Sequence, residues 1–171
     1  MKRLMGVIAV LFSAANAQSG DQSNHQSHNQ NAAPPPLFCS QLHNAISTQI
    51  VTPVKAPLDL TSITPFHEGS RCGTSKLITG QRASHCMVAY PLRDATALRT
   101  FSGLKEAMNN CPHVAGRIPN TASVNHPDSY QQHSYIFRTV GGNWRVDISL
   151  KDKSSLSASL ITLQVSRAAE D

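Results

Sequence analysis

The chain has 171 residues, with 15 Lys or Arg against 10 Asp or Glu, a formal net charge of +5 with histidines neutral. That length suits one domain and is short for two. The positive excess is small and its cations are scattered singly, which excludes the dense basic stripe of a nucleic-acid binder.

In chain order, Lys2 and Arg3 precede a short apolar run from Leu4 to Phe12, and Ala15-Asn16-Ala17 offers the small-x-small pattern of a signal-peptidase site. The run is too short to span a bilayer, so residues 1–17 are predicted to be a cleaved Sec signal, and nothing after Ala17 is apolar long enough to be a membrane helix. Cleavage would leave 154 residues with 13 basic side chains against 10 acidic ones, a net of +3. Cys39 lies well beyond the site and follows Pro36-Leu37-Phe38, which lacks the small residue of a lipid-attachment box. The expected location is therefore periplasmic or secreted. Residues 18–36 are Gln, Asn, Ser and His with almost nothing to bury, a composition that predicts a disordered arm. His25 and His28 within it lack further ligands for a metal ion, and no cofactor is expected anywhere in the chain.

A single domain is expected over residues 37–167, with 168–171 as a tail. Pro34-Pro35-Pro36 suits a first helical turn, and Phe38, Leu42, Ala45, Ile46 and Ile50 recur at helical spacing until Pro53 and Pro57. A short strand is expected around Leu58 to Ile63. Lys76–Thr79 and His85–Tyr90 read as two strands of a hairpin separated by Gly80. Asp94 is a good N-cap for a second helix whose apolar face is Ala97, Phe101, Leu104, Met108 and Cys111, ended by Pro112; Gly103 inside it suggests a close packing contact. Residues 112–129, with Pro112, Gly116, Pro119 and Pro127, read as a long connection. Then Ser134–Val140, Gly141-Gly142, the alternation of Trp144, Val146, Ile148 and Leu150, and a last strand with Ile161, Leu163 and Val165 inward form a three-strand meander with one wet face. The fold class is α+β: one antiparallel sheet of about four to five strands with two helices on one face.

Cys39, Cys72, Cys86 and Cys111 contain no close CxxC pair, so zinc and thioredoxin-like roles are disfavoured. In an oxidising compartment they form two bridges, with three possible connectivities. Cys39 and Cys111 border the apolar stripes of the two helices, and Cys72 and Cys86 flank the hairpin, so geometry favours Cys39–Cys111 and Cys72–Cys86. The run from Cys39 through Cys72, the strand His85-Cys86-Met87-Val88-Ala89-Tyr90 and the 94–110 helix to Cys111 resembles a loose group of bacterial exported four-cysteine proteins of unknown function. The resemblance covers residues 39–111 and leaves the meander unmatched. It implies the same disulfide framework and carries no activity.

No G-x-S-x-G, H-E-x-x-H or P-loop is present. Asn125-His126-Pro127-Asp128-Ser129-Tyr130, followed by His133, is the densest polar stretch outside the arm. His126, Asp128 and His133 suit a general base with its orienting partner in a small hydrolase or ribonuclease, whereas Asn, Asp and Pro in this pattern also make a plain turn. His67-Glu68 with Arg71 is a second acid-base cluster, equally well read as solvated loop. His43 and His113 read as surface or capping residues and Trp144 as sheet core. Arg71, Lys76 and Arg82, with no acid between Cys72 and Cys86, make that disulfide-closed loop the best binding candidate, facing an acidic protein or an anionic envelope component. The plain reading is that Leu77-Ile78 fills the core while the charges keep the hairpin in solution. The last strand, were it at the sheet edge, would offer strand addition. The expectation is a non-catalytic interaction or inhibitor-type protein, with the hydrolase as alternative.

Overall fold

The computed structural model describes residues 37–51, 58–66, 69–119 and 130–169. The expected signal, the polar arm, His67, Glu68, His126, Asp128, Glu170 and Asp171 lie outside these residues.

Helix α1 spans Phe38–Val51 and buries Phe38, Leu42 and Ile46, one residue per turn on one stripe. Helix α2 spans Ala95–Asn109. Its cap is the one expected: the Asp94 carboxylate accepts the Thr96 backbone N–H, an orphan donor of the first turn. That bond holds the Asp94 carboxyl below its ordinary range. Ala97, Thr100, Phe101, Gly103, Leu104 and Met108 form its buried face. The helix closes with the Asn110 N–H donating to the Glu106 carbonyl and the Cys111 N–H to the Met108 carbonyl.

The sheet has six strands: β1 Arg71–Lys76, β2 Arg82–Pro91, β3 Val114–Ile118, β4 Tyr130–Thr139, β5 Gly142–Lys153 and β6 Ala158–Arg167. Their spatial order is β1-β2-β6-β5-β4-β3, and every neighbouring pair is antiparallel. One alternate set of side chains is continuous from strand to strand. Cys86 lies opposite Leu163, Ile148 opposite Leu163, Val146 opposite Val165, and Tyr135 opposite Val146. These residues share one cluster with the apolar stripes of both helices, so both helices cover the same face. Full burial of a Leu, Ile or Phe contributes about 1.5–3 kcal/mol, and Leu42, Ile46, Phe101, Leu104, Ile148 and Leu163 are all essentially inaccessible.

Three expectations need correction. The sheet has six strands because β3, hidden in the presumed 112–129 connection, pairs with β4 and makes an outer strand. Its five residues include Gly116 beside a register irregularity, and none of them is fully buried, so its local pattern is faint. Residues 58–63 form no strand. Leu58, Leu60, Ile63 and Phe66 are buried on successive turns closed by Ile63 N–H to Leu60 O and Phe66 N–H to Ile63 O. This segment is pinned to α1 by the Thr64 N–H donating to Gln41 Oε1, and to β2 by the Leu58 N–H donating to Ser84 Oγ. Finally, β6 is central, between β2 and β5, so it has no free edge for strand addition. Its small polar residues Ser159 and Ser166 are buried as completely as its apolar ones, as a middle strand requires.

Two polar networks satisfy the buried charges. On the open face Arg145 Nε donates to both oxygens of Asp147 at 3.0 Å, and Gln132 Nε2 donates to Ser134 and to Asp147. At the end of the core face Asp152 accepts from Ser159 Oγ at 2.6 Å and faces Arg93 Nε at 3.6 Å.

The two disulfides are Cys39–Cys111 and Cys72–Cys86, separated by 72 and 14 residues. Loop entropy assigns them about 4 and about 3 kcal/mol. Denaturant unfolding of Cys39→Ala/Cys111→Ala is expected to lose about 4 kcal/mol, and that of Cys72→Ala/Cys86→Ala about 3 kcal/mol. A larger loss from the hairpin bridge than from the helix bridge would contradict this ranking.

Candidate functional site

The β1–β2 hairpin is built by its sequence in three steps. Cys72 and Cys86 sit directly opposite one another in the ladder, one pair in from Arg71 and Met87, so their bridge clamps the hairpin at the end away from its turn. Lys76 lies opposite Arg82 and ends the paired region. The turn 77–81 then closes through the Leu77 N–H donating to Gln81 O and the Gly80 N–H donating to Leu77 O, with Gly80 at φ +85°, a conformation favouring glycine. The strand expected at Lys76–Thr79 is thus mostly turn.

Shifting the turn changes the site. Lys76 and Arg82 are exposed cross-strand neighbours, an arrangement of like charges that costs stability and that a bound anion would relieve. Arg71 is not with them: it pairs opposite Met87 at the far end of β1, about 17 Å along the strand from Lys76. The Leu77-Ile78 pair does not fill the core. Leu77 is half-buried, and Ile78 at the tip is 109% exposed, as open as in an extended chain.

Of the acid-base candidates, His133 lies on the helix-covered face of β4, opposite Ile148 and against the Phe101 ring at 5.8 Å. Arg117 on β3 donates from Nη2 to His133 Nδ1 at 2.9 Å, which places the imidazole proton on Nε2. Both line a cleft of about 610 Å³ together with Ile118, Gln131, Gln132 and Ser134. Burial, then the charges of Arg117 and Lys105, hold the His133 imidazole below its ordinary range. A histidine already accepting an arginine proton at one nitrogen offers a general base only at the other. His126 and Asp128, its expected partners, are outside the described residues.

His43 and His113 are not solitary surface groups. Their rings stack at 4.0 Å with an interplanar angle of 17°, beside Phe137. The cysteine pairing carried this signal: His43 is one helical turn after Cys39, and His113 is two residues after Cys111. Burial and the neighbouring His43 lower the His113 imidazole. Among the described residues no cluster of three or more His, Cys, Asp or Glu could hold a metal ion. Trp144 is core as expected, 4% exposed, with the Arg167 guanidinium 4.1 Å from its ring centre. Its buried indole N–H has no hydrogen-bond partner.

No family model matches the chain, and no curated protein matches it.

His113 and His133 bind protons less readily folded than unfolded, so the unfolded state holds more protons as pH falls below about 6.5. Folded stability is therefore expected to rise with pH through that window, and to rise less steeply in His133→Gln. In an NMR titration His133 should protonate below about 6.5 and move upward in Arg117→Gln. A His133 midpoint at or above the ordinary value would contradict the assigned burial and charge effects.

Proposed function

We propose that this is an exported, non-catalytic binding protein that meets an anionic partner, an acidic protein or an anionic envelope component, through the turn of its disulfide-closed β1–β2 hairpin. The observation that carries the reading is the juxtaposition of Lys76 and Arg82 across the ladder, beside a fully exposed Ile78. The covalent clamp at Cys72–Cys86 holds the two strands in register before a partner arrives, so less entropy is lost on docking. Export is supported by the Lys2–Ala17 pattern and by two disulfides, which persist in oxidising compartments.

The test uses a defined anionic matrix, immobilised poly-glutamate, with binding read as salt-dependent retention. Lys76→Gln/Arg82→Gln is expected to weaken retention by about 1 kcal/mol, roughly fivefold in affinity. Arg71→Gln, which also removes a positive charge but from the far end of β1, should change it little. Loss in Arg71→Gln of half the free energy lost in the double variant, one charge against two, would reduce the interaction to net charge and overturn the hairpin assignment.

A further inference from the structure

The turn of the β1–β2 hairpin has a companion. In the sheet order β1-β2-β6-β5-β4, the antiparallel ladders place the β4–β5 turn at the same end as the β1–β2 turn, three strand spacings or about 14 Å away. The registers set their heights. Ala83 lies opposite Ser166, Ser166 opposite Arg145, and Arg145 opposite Ile136, which makes one cross-strand row. Counting outward from it, the two tips end within about one residue, ~3.4 Å, of each other. The second tip carries Val140, 104% exposed, matching Ile78 at 109%. Single exposed apolar residues are ordinary. Here the described residues hold two β-branched side chains as open as in an extended chain, and both crown the same end of one sheet.

The charge around them has one sign. Lys76 and Arg82 flank the first tip, and exposed Arg138 flanks the second. Arg167 ends β6 between them, lying over Trp144 and donating to the Gly141 carbonyl, so it also steadies the second turn. No Asp or Glu occurs in 71–85, 138–146 or 165–169. Asp59, whose neighbour Leu58 bonds to Ser84, is engaged by Thr61. Glu170 and Asp171 follow β6 outside the described residues.

Two short apolar points at one level, ringed by cations, match a planar anionic surface with an apolar layer just beneath its charges. Resting on the hairpin reading above, we infer that the partner is an anionic phospholipid bilayer, met by both turns at once. Ile78 and Val140 enter the headgroup boundary while Lys76, Arg82, Arg138 and Arg167 stay among the phosphates. A concave acidic protein pocket would have no need of two level tips about 14 Å apart.

The test is co-sedimentation with vesicles of phosphatidylglycerol in phosphatidylcholine, against vesicles of phosphatidylcholine alone and against the poly-glutamate matrix. Wild type is expected to partition at least tenfold better onto the anionic vesicles. Ile78→Ser and Val140→Ser should each lower that partition about tenfold, and Lys76→Gln/Arg82→Gln by more than tenfold. Neither serine variant should alter retention on poly-glutamate, which has no apolar layer. All these side chains are exposed, and a melting curve for each variant confirms that the fold is intact. Equal binding to both vesicle types, or an unchanged partition for Val140→Ser, overturns the two-point bilayer contact. If wild type ignores vesicles but is retained by poly-glutamate through Lys76 and Arg82, the bilayer inference fails and the hairpin reading survives. If Lys76→Gln/Arg82→Gln changes neither, both fail.

Discussion

The ladder between β2 and β6 is the constraint on which the rest of this molecule depends. Nine residue pairs, from Ala83 with Ser166 to Pro91 with Ala158, join the first hairpin to the C-terminal meander. Without them β1–β2 would be an isolated two-stranded ribbon, marginal in water even with its disulfide. The meander would in turn lose the strand that covers β6. Because the partners lie far apart in sequence, their pairing closes a long loop and is repaid only when the core forms. The buried run from Cys86 and Leu163 through Ile148 to Phe101 is that repayment.

The same ladder decides what the surface can offer. By setting β6 in the middle, it makes β1 and β3 the outer strands among the described residues and brings the β1–β2 and β4–β5 turns to one end of the sheet. β1 ends in Arg71 and Lys76, charges that discourage a further strand from pairing there. In the β1–β2 turn the backbone hydrogen bonds are already closed, so the proposed contact there would be made by side chains alone.

The helices and the meander were legible because each rests on local periodicity. Asp94 and Pro112 bracket a 3.6-residue stripe, and Trp144 to Leu150 alternate without interruption. The 58–66 segment was not legible, since its four buried residues follow successive turns rather than either period. β3 was lost because an outer strand with Gly116 needs little apolar pattern of its own. The proposed binding site was half legible. Lys76 and Arg82 stand out beside a turn in any reading, but Arg71 is parted from them by the length of β1, a six-residue strand with Arg71 at one end and Lys76 at the other. Arg138, Val140 and Arg167 join the proposed site only through sheet order, a long-range property that no local window contains. The stacked imidazoles of His43 and His113 belong between these cases, since the cysteine pairing implied them and composition did not.

The two disulfides are nested: Cys39–Cys111 encloses Cys72–Cys86. A chain that emerges N-terminus first presents Cys39, then Cys72, then Cys86, and the native partner of the first thiol comes last. Oxidation in order of appearance would join Cys39 to Cys72 and strand Cys86 with Cys111. The native framework therefore depends on traffic among thiols: the first must wait unpaired, or a premature bridge must be exchanged once α2 has delivered Cys111 beside α1. Maturation of this small domain is in that sense governed by the order in which its sulfurs become available as much as by the packing that finally encloses them.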